Sequence, residues 1–157
     1  MVIKGLLDED FVNYRLPSMF ITTASCTFKC DKESGTQICQ NCPLIQLQNV
    51  DIPDAKIVER YIANPITNAV IFSGLEPFDQ YIELHDIISE FRKHTDDDIV
   101  IYTGYTEAEI DGLVNSFRKF PNIIIKFGRF IPFQDKHYDE VLGVYLASDN
   151  QYAKRIS

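Results

Sequence analysis

Three short runs of β-branched and aromatic residues, Ala69-Val-Ile-Phe-Ser73, Asp98-Ile-Val-Ile-Tyr-Thr103 and Asn122-Ile-Ile-Ile-Lys-Phe127, are separated by two stretches whose apolar residues recur at helical spacing. In the first stretch Tyr81, Leu84, Ile88 and Phe91 step by three and four, which predicts a helix from about Asp79 to His94. In the second, Ile110, Leu113, Val114 and Phe117 continue a buried face, and Thr106-Glu-Ala-Glu109 has capping-box spacing. There the Thr hydroxyl and the Glu carboxylate satisfy free amides at the helix start. Ser18-Met-Phe-Ile-Thr-Thr23 reads as an earlier strand, and Asp54 to Ala63 as a helix with Pro53 suited to its first turn and Ile57, Val58, Tyr61 and Ile62 as its stripe. Glu140-Val-Leu-Gly-Val-Tyr-Leu146 reads as a last strand. Strands alternating with helices in this way predict βαβ units and a mostly parallel α/β sheet. At 45% hydrophobic residues the chain can bury a core, and no linker or repeat divides it, so a single domain over residues 1–157 is expected.

Ligands of such a sheet sit at the carboxyl ends of its strands. The loop leaving the first strand holds Cys26-Thr-Phe-Lys-Cys30 and Cys39-Gln-Asn-Cys42, which are all the cysteines of the chain. Ser73-Gly-Leu-Glu-Pro77 leaves the second strand and Thr103-Gly-Tyr105 the third. Gly74 and Gly104 allow a ligand to approach the backbone closely, and Pro77 stiffens its loop. A turn explains either glycine alone; their shared edge with the cysteines predicts a cofactor pocket.

The thiols admit three readings. Two disulfides would need an oxidising compartment, but Met1-Val-Ile-Lys-Gly-Leu-Leu-Asp-Glu-Asp10 has no apolar stretch or cleavage site of a secretory signal. A cytoplasmic location with reduced thiols is therefore expected. The Cys-x3-Cys and Cys-x2-Cys pairs can each supply half of a four-thiolate zinc shell, although the eight residues between them demand a tight loop. In an iron–sulfur reading Cys26, Cys30 and Cys39 supply three ligands and leave one iron open. The formal net charge of -8 lacks the basic footprint that nonspecific nucleic-acid binding needs. No apolar run approaches the roughly eighteen residues of a membrane span. Neither nucleic acid nor membrane is expected as a partner.

Taken in order, the motifs resemble the radical S-adenosylmethionine enzymes, and within them the activating proteins of anaerobic ribonucleoside-triphosphate reductases. Asp10-Phe-Val-Asn13 is similar to an Asp-x-Val-Asn segment ahead of the first strand. Cys26, Cys30, Cys39 and Asn41, with Ile38 before the third cysteine, resemble the Cys-x3-Cys-x2-Cys-x-Asn signature. Ser73-Gly-Leu-Glu-Pro77 is similar to the Gly-Gly-Glu-Pro motif, Ile101-Tyr-Thr-Gly-Tyr105 to a strand end of the activases, Gly128-Arg-Phe-Ile131 to their Asp-Gly-Arg-Phe stretch, and Ala147-Ser-Asp-Asn-Gln151 to their terminal Ser-Ser-Asn-Gln segment. The resemblance covers nearly the whole chain. It departs in two places: eight residues, Asp31 to Ile38, stand where the family has two, and Phe127 stands where the activases commonly have Asp.

The resemblance implies a compact radical-SAM core, a partial (βα) barrel with a mostly parallel sheet. Cys26, Cys30 and Cys39 would hold a 4Fe-4S cluster, with Cys42 as a bystander thiol. S-adenosyl-L-methionine would be bound by Ser73, Gly74, Leu75 and Glu76, with Ile38, Cys39 and Gln40 flanking its adenine and Thr103 and Gly104 completing the site. Glu76 is expected to hold loop backbone and cofactor rather than to act as an acid or base. The implied activity is generation of a glycyl radical on a partner, the anaerobic ribonucleotide reductase, with electrons from a donor such as a flavodoxin or ferredoxin. Two alternatives stand beside it: a small radical enzyme that modifies another protein or peptide, and a non-catalytic four-cysteine zinc module that binds a partner. His85, His94 and His137 carry no ligand spacing, Asp96-Asp-Asp98 reads as a solvated turn, and Arg129 and Arg155 are candidates for pairing with a carboxylate or a partner surface.

Overall fold

The computed structural model describes residues 1–157. In chain order its elements are β1 (Val2–Asp10), β2 (Ser18–Thr23), α1 (Lys29–Ser34), β3 (Val50–Asp51), α2 (Asp54–Ile62), β4 (Ala69–Gly74), α3 (Tyr81–Phe91), β5 (Asp98–Tyr102), α4 (Glu107–Phe117), β6 (Ile123–Phe127), β7 (His137–Asp139), β8 (Val144–Leu146) and β9 (Tyr152–Arg155). Short 3-10 turns cover Cys42–Gln46 and Pro77–Gln80.

Seven strands form one sheet in the order β3-β1-β2-β4-β5-β6-β9. The central four, β2, β4, β5 and β6, run parallel and follow chain order, while β1, β3 and β9 add antiparallel flanks. The sheet is open, with β3 and β9 as its edges, and no closed barrel forms. A right-handed crossover repeated in one direction places successive helices on one face, and the packing shows this. Ile123, Ile125 and Phe127 of β6 share a cluster with Ile57 of α2, Leu84 and Phe91 of α3, and Val114 and Phe117 of α4. The alternate residues Ile71, Val100 and Ile124 face the other way, onto Tyr14, Leu142 and Leu146. Burial on both faces is why these strands are unbroken apolar runs; each fully buried side chain of this size stabilises the fold by about 1.5–3 kcal/mol.

One expected strand is not formed as such. Within Glu140–Leu146 the chain reverses, so that β7 and β8 make a separate two-stranded hairpin. The Asp139 carboxylate accepts the Val141 and Leu142 amides at 3.0 and 2.9 Å, and Gly143 turns at φ 72°. The hairpin supplies Leu142 and Leu146 to cover the helix-free face of the sheet.

Candidate metal centre and cofactor cavity

The cysteine loop is anchored before it begins. Past the end of β2, the Ala24 and Ser25 amides donate to Gln80 Oε1 at 2.5 and 3.1 Å, and the Thr27 amide donates to Asp79 Oδ2 at 2.6 Å. Gln80 and Asp79 belong to the turn after Pro77, so the Gly-Leu-Glu-Pro loop positions Cys26. Cys26 Sγ accepts the Phe28 amide at 3.2 Å. The enlarged segment then folds as α1, which ends at Gly35 with φ 70°. Asp31 Oδ1 accepts the amides of both Ile38 and Cys39 at 2.8 Å, returning Cys39 toward the start of the helix that carries Cys30. Asn41 Nδ2 closes the arrangement by donating to the Gly74 carbonyl at 2.7 Å.

A cavity of about 400 Å³ opens at this end of the sheet. Cys26, Cys30, Cys39 and Gln40 line it together with Ser73, Gly74, Leu75, Glu76, Thr103 and Gly104. Ile38 does not reach its wall: its amide is committed to Asp31, before the chain turns inward at Cys39. Cys42 also lies off the cavity, one turn further, its amide donating to the Cys39 carbonyl at 3.3 Å. Val12, Tyr105, Lys126, Arg129 and Tyr145 are lining residues that no motif had marked as ligand-facing.

Burial pushes the Cys26 thiol up to about 12 and the Cys30 thiol up to about 11, the latter helped by its neighbour Cys39, with which it shares a hydrogen bond. These thiols are therefore protonated when metal-free, and metal binding must release their protons. No three ligand-type side chains already close into a cage for a single ion; the three thiols are gathered at one opening instead. An all-sulfur donor set of three part-buried thiols facing one cavity fits an iron–sulfur cluster held by Cys26, Cys30 and Cys39.

Opposite the thiols, Glu76 is buried and fully engaged. Its Oε1 accepts the Thr103 hydroxyl at 2.7 Å and the Phe78 amide at 3.1 Å, and its Oε2 accepts the Gly104 amide at 2.8 Å. Burial nevertheless raises its carboxyl to about 7. It ties the Gly74 loop to the Gly104 loop. Gly74 sits at φ 89°, and a Cβ there would lie 2.4 Å from Thr22 Cγ2, so any other residue would be strained in its backbone and would have to displace Thr22. Gly104 is less constrained, because a Cβ would meet only ordinary contacts at 3.5 Å and beyond.

Charged groups brace the rim. Arg129 donates two bonds to the Glu109 carboxylate, at 2.8 and 2.5 Å, and its Nε lies 3.2 Å from Glu33 of α1. Glu109 also accepts the Thr106 amide at 2.8 Å, so the capping residue doubles as the arginine's partner. The Gly128-Arg-Phe stretch is fastened to the terminal Ser-Asp-Asn-Gln segment: Asn150 Nδ2 donates to the Arg129 carbonyl at 2.8 Å and Gln151 Nε2 to the Gly128 carbonyl at 3.3 Å. Arg155 pairs with Asp98 at 2.8 Å, far from the cavity at the start of β5, where Asp98 also accepts the Tyr14 hydroxyl. His85 packs at a tilt against Phe117 and Phe120.

No helix is long and apolar enough to cross a membrane. No curated protein and no solved structure matches the chain. The family described as the 4Fe-4S single cluster domain does match, over residues 16–151, a span that runs from before β2 to Gln151 and takes in all four cysteines. The chain belongs to this 4Fe-4S single cluster domain family and is an iron–sulfur protein.

Proposed function

We propose that the protein is a radical S-adenosylmethionine enzyme on a partial (βα) barrel, and specifically an activase that generates a glycyl radical on a partner enzyme, the anaerobic ribonucleotide reductase. The observation that carries this reading is the common cavity: three thiols, the Gly74 loop and the Gly104 loop face one space of about 400 Å³, a volume suited to a small cofactor. Cys26, Cys30 and Cys39 would hold a 4Fe-4S cluster, which with an electron from a flavodoxin or ferredoxin would supply the reductive cleavage of S-adenosylmethionine that underlies hydrogen-atom abstraction from the partner's glycine.

The chain's own residues bind and orient. Cys26, Cys30 and Cys39 supply thiolates. Asn41 ties their loop to the Gly74 carbonyl, so ligand loop and cofactor loop are directly linked. Gly74 leaves the backbone of Ser73 to Glu76 open to a polar ligand, and Glu76 fixes that backbone against Thr103 and Gly104. At the cavity mouth Val12 and Tyr145 are 75% and 72% exposed, apolar surface that a docking protein would cover.

Anaerobic reconstitution with iron and sulfide tests the reading. About four irons per chain, an axial electron-spin spectrum that changes on adding S-adenosylmethionine, and release of 5'-deoxyadenosine are expected. One tightly held zinc without cleavage would sink the proposal. Coexpression with a candidate reductase should then yield a glycyl-radical spectrum, and its absence would count against that partner.

A further inference from the structure

The inner face of β6 begins apolar and ends charged. Ile124 lies on the helix-free face with Ile71 and Val100. Two residues on, and therefore on the same face, Lys126 stands beside Tyr102 of β5 and Ala153 of β9 in register. It is 7% exposed and lines the cavity.

A buried ammonium is ordinarily paired, and this one is not. Lys29, Lys126 and Arg129 are the cations of the cavity wall. Lys29 and Arg129 both pair with Glu109. Lys126 has no carboxylate within ion-pair distance; Nζ donates only to the Gly128 carbonyl, at 2.7 Å. Glu76 is the carboxylate that acts on Lys126 electrostatically, and its oxygens are already occupied by Thr103, Gly104 and Phe78; the buried Asp139, beside Ala153, is likewise taken up by the Val141, Leu142 and Ala153 amides. The neighbouring Tyr102 hydroxyl is turned away to the Asn13 carbonyl. An ammonium has three protons to donate, so two remain for a ligand. Burial lowers Lys126 to about 8, which leaves it largely charged at neutral pH.

We propose that Lys126 is an anion subsite for the substrate, receiving a carboxylate that enters the cavity at the end opposite the cysteines. β6 stands three strands from β2, roughly 14 Å at the usual strand spacing, and Lys126 is drawn toward its own strand end rather than across the sheet. A carboxylate bound next to the thiols cannot also occupy Lys126. The subsite rests on the proposed function only in assigning the thiol end to the cofactor.

The test uses metal-free protein labelled with 15N-lysine. Acetate, the peptide acetyl-Gly-Glu-amide and its neutral twin acetyl-Gly-Gln-amide are titrated while the Lys126 ammonium resonance is followed. The acidic probes should shift that resonance, and the neutral twin should bind at least about tenfold more weakly, since a hydrogen bond to a buried charge is lost. Acetyl-Gly-Glu-amide binding more tightly than acetate identifies a carboxylate carried on a peptide; equal affinities identify a small free acid. Lys126→Met should weaken the acidic probes at least about tenfold by calorimetry, and Lys126→Gln, which retains a donor for the Gly128 carbonyl, should do the same if the methionine variant folds poorly. Unchanged affinity in both variants, or equal binding of the neutral twin, overturns the proposal. So does a reconstituted variant that loses S-adenosylmethionine affinity while keeping the acidic peptide. Because the titration needs no cluster, it stands or falls separately from cofactor cleavage.

Discussion

Glu76→Gln separates the charge of the buried carboxylate from its hydrogen bonds. Burial pushes the Glu76 carboxyl from an ordinary 4.5 up to about 7, against the opposing pull of its Thr103, Gly104 and Phe78 donors. The folded value lies above the unfolded one, so the native state binds the proton more tightly. The resulting stability is fully present below about pH 4.5 and is lost as pH rises through about 7. A separation of roughly 2.5 units corresponds to about 3 kcal/mol. In a chain of 157 residues that is about 6–12 °C in Tm. Glutamine cannot titrate, so its curve lacks this slope. It carries a separate defect of about 1–3 kcal/mol, because whichever way the amide turns, its NH2 faces a backbone donor, Phe78 or Gly104. The wild type should therefore be more stable than Glu76→Gln at pH 5, and because about 1.8 of the roughly 2.5 units are lost between pH 5 and pH 7.5, the gap should close by about 5–10 °C over that range. Thermal melts of reduced, metal-free protein followed by circular dichroism measure it. The scan stops at pH 7.5 because Lys126 begins to lose its proton near 8. A Tm difference that stays constant across this range would refute the reasoning, since it would mean that the buried carboxyl titrates as an exposed one does.

Cys26→Ala, Cys30→Ala and Cys39→Ala should each abolish the cluster after reconstitution, while Cys42→Ala retains it; full iron content in Cys39→Ala would overturn the ligand assignment. Gly74→Ala should lower Tm through two terms, about 1–2 kcal/mol for a left-handed backbone and the 2.4 Å approach to Thr22 Cγ2. Adding Thr22→Ser removes that methyl and should recover only the second term, so complete recovery would refute the backbone argument. Asp31→Ala leaves the Ile38 and Cys39 amides without their acceptor and should weaken iron retention against a chelator by about 10–100-fold; retention equal to wild type would show that Asp31 does not set the position of Cys39.

The central strands and the three long helices were legible because the strands are buried on both faces and the helices on one, so their apolar runs and periods stand out in the sequence directly. β1 was not: Val2–Asp10 mixes Lys, Gly, four apolar residues and three carboxylates without a clean period, and it is a strand because β2 offers it an antiparallel edge. β9 was hidden for a related reason, as Tyr152–Arg155 is mostly exposed and held by backbone pairing to β6. Of the site, the glycine loops and the three inward thiols could be placed from strand ends. Lys126 could not, because a lysine in a strand reads as solvent-facing, and β9, which flanks it on one side, was itself not foreseen. Ile38, expected to flank the adenine, donates its amide to the Asp31 carboxylate at the far side of the enlarged loop and lies outside the cavity wall.

That loop bears on how a cluster site tolerates insertion. Lengthening a flexible loop adds little entropy, since the closure term grows only with the logarithm of length, but a floppy insertion would still leave the third thiol unplaced. Here the added residues are not floppy. They make α1, whose Glu33 reaches Arg129 and whose Lys29 reaches Glu109, and whose Asp31 takes the two amides that lead into Cys39. The helix thus carries Cys30 and, through one carboxylate, also fixes Cys39, so two of the three thiols depend on the same short element. Cys26 depends on another, the turn holding Asp79 and Gln80. The Asn41 bond to the Gly74 carbonyl is the one direct link between the third thiol's segment and the cofactor loop. The enlarged loop therefore moves the specification of Cys39 from chain spacing to side-chain contacts, and the proposed ligand set is assembled only while those contacts hold.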